Sequence, residues 1–111
     1  MQGRGDDAVW GRAKVGGGCQ LIVFTTGRGN PIGNPIAPVL KVTANRELFR
    51  KMNDNLDMDF SAVLHGEKTL ADMAGDVLAE ILRVANGKKT KTEIYGFGYS
   101  ETVIRRMCDY V

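Results

Sequence analysis

A small, mostly parallel sheet covered by helices, hence an α/β fold, is what this chain of 111 residues predicts, and three observations carry the prediction. The run Leu21-Ile22-Val23-Phe24 places β-branched and aromatic residues on consecutive positions, the pattern of a strand buried on both faces in a parallel sheet. From Leu70 to about Asn86, apolar residues recur at i, i+3 and i+4, so that stretch forms an amphipathic helix whose stripe needs a sheet to pack on. Strand and helix candidates alternate in between, as they do in α/β domains.

The length suits one domain with one modest core. Hydrophobic residues at 43% and charged residues at 25% are ordinary globular values and exclude disorder as the main state. A net charge of +2 is too slight to call for nucleic acid. No apolar run approaches the roughly 20 residues that span a bilayer, and the polar start Met1-Gln2-Gly3-Arg4 is no secretory signal, so a cytoplasmic protein is expected. Cys19 and Cys108 lack any metal or redox spacing and read as free thiols in a reducing compartment.

Taken in order, residues 1–17 carry scattered glycines and few apolar residues and read as a flexible lead-in, with Trp10 left to dock either on the domain or on a neighbour. The domain itself spans 18–111. Cys19 to Thr25 is the first strand, and Ile36 to Val42 the second, with Pro38 near its start where a missing N–H does least harm. Asn45 caps a helix from Arg46 to about Asn53. Leu56 to Phe60 is a short, half-buried edge piece, because Asp57 and Asp59 alternate with apolar residues. The long helix starts at Thr69, with Asp72 at the third helical position, and stops at Asn86-Gly87; its stripe is Leu70, Met73, Ala74, Val77, Leu78, Ile81, Leu82 and Ala85. Lys88 to Lys91 is a solvated basic turn, and Ile94 to Ile104 fits strand or loop equally.

Most of the chemistry lies in Thr25-Thr26-Gly27-Arg28-Gly29-Asn30-Pro31-Ile32-Gly33-Asn34-Pro35. A strand followed by Gly27-x-Gly29 invites a dinucleotide fingerprint, but the third glycine is Gly33, one place late, and Pro31, Pro35 and Pro38 forbid the helix that must follow. The expected fold is thus a Rossmann-like three-layer arrangement without that fingerprint. Glycine N–H groups turned inward and Arg28 suit a carboxylate, while Thr25, Thr26, Asn30 and Asn34 suit hydroxyls. The candidate substrate-binding set is Thr25, Thr26, Gly27, Arg28, Gly29, Asn30, Gly33 and Asn34; a purely structural crossover, with Arg28 paired to a carboxylate of its own chain, remains equally open. His65, the only histidine, reads as exposed or structural, and Asp57 and Asp59 as solvated edge carboxylates rather than metal ligands. No nucleophile–base pair is visible, so no catalytic residue and no metal site is assigned.

Gly18-Cys19-Gln20, Phe24 to Pro38, Lys41-Val42-Thr43-Ala44-Asn45, Gly66-Glu67-Lys68-Thr69-Leu70 and Ala85 to Lys91 closely resemble, in order, the C-terminal region of the altronate/galactarate dehydratase family. The resemblance implies a sugar-acid hydro-lyase that gives a 2-keto-3-deoxy sugar acid with a divalent metal, iron or manganese, in the full enzyme and no cofactor in this domain alone. It also implies a preceding catalytic domain, an isolated chain without activity, a sugar acid as small-molecule partner, no nucleic acid or membrane partner, and room for a homo-oligomer. One departure bears on substrate. Family members with sugar-acid substrates tend to continue into Ala-Gly where this chain has Asp57-Met58-Asp59-Phe60-Ser61-Ala62. The alternatives are therefore the large subunit of a sulfolactate sulfo-lyase, which also performs a β-elimination beside a carboxylate, or a non-catalytic module for assembly or carboxylate binding.

Overall fold

The computed structural model describes residues 7–96. Their elements run α1 (Asp7–Gly16), β1 (Ile22–Thr25), β2 (Val39–Thr43), α2 (Arg46–Lys51), β3 (Met58–Asp59), α3 (Ser61–Leu64), α4 (Leu70–Ala85) and α5 (Lys91–Tyr95). The expected α/β class holds. The strands form one parallel sheet in the order β1-β2-β3, with Ile22 opposite Val39, Thr25 opposite Val42, and Val42 opposite Met58.

Every residue of the central strand β2 is buried. Leu40 and Val42 form the core with Val84 of α4, and Leu21, Met58, Phe60 and Ile81 pack around them. Complete burial of a leucine contributes about 1.5–3 kcal/mol, so Leu40 is among the residues that hold α4 to the sheet. β3 is too short to complete the ladder unaided, and the Asp57 carboxylate extends it. Its Oδ2 accepts the Lys41 N–H at 2.7 Å, and its Oδ1 accepts the Lys91 N–H at 2.9 Å, which joins β2 to the start of α5.

Local signals explain most boundaries. Asn45 accepts the Leu48 N–H at 3.1 Å and starts α2. Thr69 and Asp72 satisfy each other's amides at the start of α4, and Gly87, at φ +104°, turns the chain after it. Thr90 and Glu93 repeat the device at α5.

Four expectations change. A helix, α1, stands in the lead-in; Asp7 in its first turn and Lys14 in its last suit the helix dipole. Trp10 is half-buried and borders a small cavity with Ile22, Phe24 and Ile32, so it docks in part on the domain. β1 is not buried on both faces: it lies at the sheet edge, where Ile22 points inward while Val23 and Thr25 are exposed. The edge carboxylates are half-buried and engaged rather than free in solvent, because Asp57 carries the two bonds above and Asp59 accepts the Ser61 N–H at 2.8 Å. Finally, α4 buries Met73, Glu80 and Val84, whereas Leu70, Leu78 and Leu82 are exposed. Glu80 is tolerated inside because Lys88 and Arg83 both pair with it and hold its carboxyl below the usual range. Ile94 and Tyr95 belong to α5, and the rest of the stretch to Ile104, like Cys108, lies outside the described residues apart from Gly96. Among the described residues no helix is long and apolar enough to cross a membrane.

Candidate functional site

Because β1 and β2 are parallel, the 13-residue connection between Thr25 and Val39 must start at the carboxyl end of the sheet and return to its amino end. This splits the candidate residues. Thr25, Thr26 and Gly27 border a cleft of about 520 Å³ across the carboxyl ends of the three strands, together with Thr43, Ala44, Asn45, Phe60 and Leu64. Open α/β sheets take their ligands at that end. Gly33 and Asn34 border a different cavity, at the start of β2, with Lys89, Thr92 and Glu93.

The turn at the carboxyl end is braced by its own side chains. Thr26 Oγ1 accepts the Gly29 N–H at 3.0 Å, and Asn30 Oδ1 accepts the Ile32 N–H at 2.8 Å. The amide of Asn30 also donates to Asp7 of α1 at 2.5 Å, and the Asn30 carbonyl accepts from Lys41 Nζ. Gly29 has φ +83°, a conformation that favours glycine, and a Cβ there would lie 2.2 Å from Sδ of the flexible Met52 side chain, which would have to move aside. On the return leg, Asn34 Oδ1 accepts the Ile36 and Ala37 N–H groups at 2.9 and 3.2 Å. The asparagine carbonyls are therefore engaged in shaping the loop.

Arg28 behaves differently. It is exposed next to Gly27, and its guanidinium forms no hydrogen bond or ion pair among the described residues, so internal pairing with a carboxylate does not occur there. Arg46, by contrast, is taken up by Glu67 at 2.8 Å and Ser61 at 3.0 Å. Polar groups at this end of the sheet are thus the exposed Arg28, the Thr25 hydroxyl and the Thr26 hydroxyl, which accepts the Gly29 N–H and keeps its own proton to donate. The buried Thr43 hydroxyl, by contrast, accepts the Asn45 N–H at 3.2 Å. An arginine beside hydroxyls suits a small hydroxy acid. His65 is exposed at the end of α3, next to the lining residue Leu64, but does not itself line the cleft. Among the described residues no three His, Cys, Asp or Glu side chains converge as metal ligands.

The family described as "D-galactarate/Altronate dehydratase, C-terminal" matches residues 1–109. This chain belongs to that family. Among relatives, altronate dehydratase of Escherichia coli is 37% identical over 89 residues, 80% of this chain and 18% of its own. Galactarate dehydratase (L-threo-forming) of the same organism is 37% identical over 83 residues, 75% of this chain and 16% of its own. The (2R)-sulfolactate sulfo-lyase subunit beta of Chromohalobacter salexigens is 43% identical over 84 residues, 76% of this chain and 21% of its own. The chain spans about a fifth of the length of these dehydratase-family relatives.

Sequence reasoning missed Thr43, Asn45, Phe60 and Leu64 as cleft residues. The carboxyl-end rule, applied to the three strand candidates, would have found the stretch after β2 and after β3.

Proposed function

We propose that this region forms one wall of the substrate site in a hydroxy-acid lyase, a dehydratase of the altronate or galactarate type. The observation that carries the proposal is the exposed Arg28, without a partner among the described residues, in the turn whose Thr25, Thr26 and Gly27 border the cleft at the carboxyl ends of three parallel strands. Arg28 holds the substrate carboxylate and stabilises the enediolate-like charge that develops on it as the α proton leaves. Thr25 and Thr26 hold substrate hydroxyls. The groups that move the proton belong to the remaining four-fifths of such an enzyme. The donor set described here does not fit a divalent metal, and no step is assigned to one in this region.

A second substrate reading has its own support in the 43% identity to a sulfo-lyase subunit. Both reactions eliminate a group β to a carboxylate, and Arg28 serves either. Assaying the complete lyase with altronate, galactarate and sulfolactate decides: dehydration of a sugar acid supports the first reading, and sulfite release from sulfolactate without sugar-acid turnover replaces it with the second.

The exposed side of α4 fits the same picture. Val63, Leu64, Leu70, Ala74, Val77 and Leu78 line an apolar groove of about 420 Å³ that shares Ala44, Phe60 and Leu64 with the cleft at the strand ends. Leu70 is 75% exposed and Leu64 72%, unusual for a contiguous apolar patch on a finished surface. We infer that the rest of the lyase covers this groove and, in doing so, closes the neighbouring cleft against water.

A further inference from the structure

Lys41 is buried completely in the middle of β2, although it carries an ammonium group. An apolar side chain of the same length would fill that place without the several kcal/mol that an ion loses on leaving water. What the lysine adds is a set of donors and a charge, and the structure shows where they go: Nζ donates to the backbone carbonyl of Asn30 in the turn. Asp57, whose carboxylate is held by the Lys41 and Lys91 N–H groups, supplies the compensating negative charge nearby.

At its start the turn is tied to the central strand by the Thr26 N–H, which donates to the Val42 carbonyl at 3.0 Å, but the side-chain bonds farther along do not reach the sheet. Thr26 to Gly29 and Asn30 to Ile32 are internal, and Asn30 to Asp7 leads to α1. The contact from Lys41 is the one that fastens the middle of the turn to the central strand, 11 residues away in sequence. Arg28 sits two residues before its anchor point, inside the Thr26 to Gly29 bracket. The direction in which Arg28 leaves the backbone is therefore set between two anchors, the Thr26 N–H on Val42 before it and the Asn30 carbonyl on Lys41 after it.

We propose that Lys41 is the positioning residue of the ligand loop: its buried ammonium pins the Asn30 carbonyl and thereby fixes the turn that presents Arg28. The proposal rests on the reading of that loop as a substrate wall, but its test does not use substrate, so the two fail separately. Amide hydrogen exchange is measured by NMR on the 111-residue chain, comparing the turn amides of Gly29 and Ile32 with the β2 amides of Leu40 and Val42. Lys41→Met, which keeps the volume and removes charge and donors, is expected to speed exchange at Gly29 and Ile32 by about tenfold or more relative to the β2 amides. Lys41→Gln, which retains a neutral donor, is expected to give a smaller change. Unaltered ratios in both variants overturn the proposal, because the turn then holds its shape without Lys41. Equal acceleration at all four amides, or failure of both variants to fold, also overturns it, since Lys41 would then serve the core as a whole.

Discussion

The Thr26 to Pro38 connection and the helix α4 make opposite use of sequence. The connection has no regular structure, and its shape depends on single atoms: the Thr26 hydroxyl, two asparagine carbonyls, the Lys41 ammonium and the missing Cβ of Gly29. In α4 the backbone bonds repeat along 16 residues, and its leucines can remain in solvent without loss of the helix. Shape held by unique contacts is easily broken and suits a ligand, whereas shape held by repetition tolerates change and suits a broad docking face. Substitutions in the two regions should therefore differ in size and even in sign.

The largest effect is expected at Gly29. Alanine there must accept a left-handed backbone, while the flexible end of Met52 swings aside at little cost, for a loss of about 2 kcal/mol in urea unfolding that comes from backbone strain. A loss below about 1 kcal/mol would mean that the turn relaxes away from the left-handed conformation at little cost.

Next comes a contrast in pH. Burial pushes the Lys41 ammonium down from 10.5 to about 8, against the pull of Asp57. The unfolded chain then binds more protons between those values, so stability rises with pH across that window; below about 8 the cost of the buried charge is present in full. Glu80 in α4 is shifted downward, chiefly by its bond to Lys88, so its contribution is present above the ordinary carboxylate range and is lost as pH falls through its folded value. Denaturation curves of the wild type against Lys41→Met should diverge in favour of the wild type on going from about pH 7 to about pH 10. A constant difference would place Lys41 outside the titrating groups.

Gly75 supplies the reversed sign. It lies within α4 with nothing near the place of a Cβ, so Gly75→Ala should raise stability by about 1 kcal/mol, the helix propensity of alanine over glycine. A loss would show that the helix is packed more tightly there than its open surroundings indicate. The smallest effect is expected at Leu78, which is 59% exposed: Leu78→Asp should change the unfolding free energy of the isolated chain by less than about 0.5 kcal/mol. In the complete lyase the same change should lower the thermal midpoint if the groove is covered there as proposed.

How much of this was legible in the sequence follows the same division. The ends of α4 were readable because Thr69, Asp72 and Asn86-Gly87 act locally, and Asn45 marked α2 for the same reason. The burial of β1 was not readable, since it depends on which strand stands in the middle of the sheet. The loop's chemistry was legible residue by residue, but its division into two cavities depends on the parallel pairing of β1 with β2. The apolar stripe of α4 gave a face without saying whether anything covers Leu70 and Leu78. α1 was missed because its glycines and scattered apolar residues give no clear period.

The claim that the turn after β1 holds a substrate carboxylate is tested most directly by Arg28→Ala in the complete lyase, read as kcat/KM. Loss of one charge-assisted contact that strengthens in the transition state predicts a fall of about tenfold or more, partly restored in Arg28→Lys. Turnover and substrate affinity both within about twofold of the wild type would contradict the account, because less than one such hydrogen bond would then depend on Arg28.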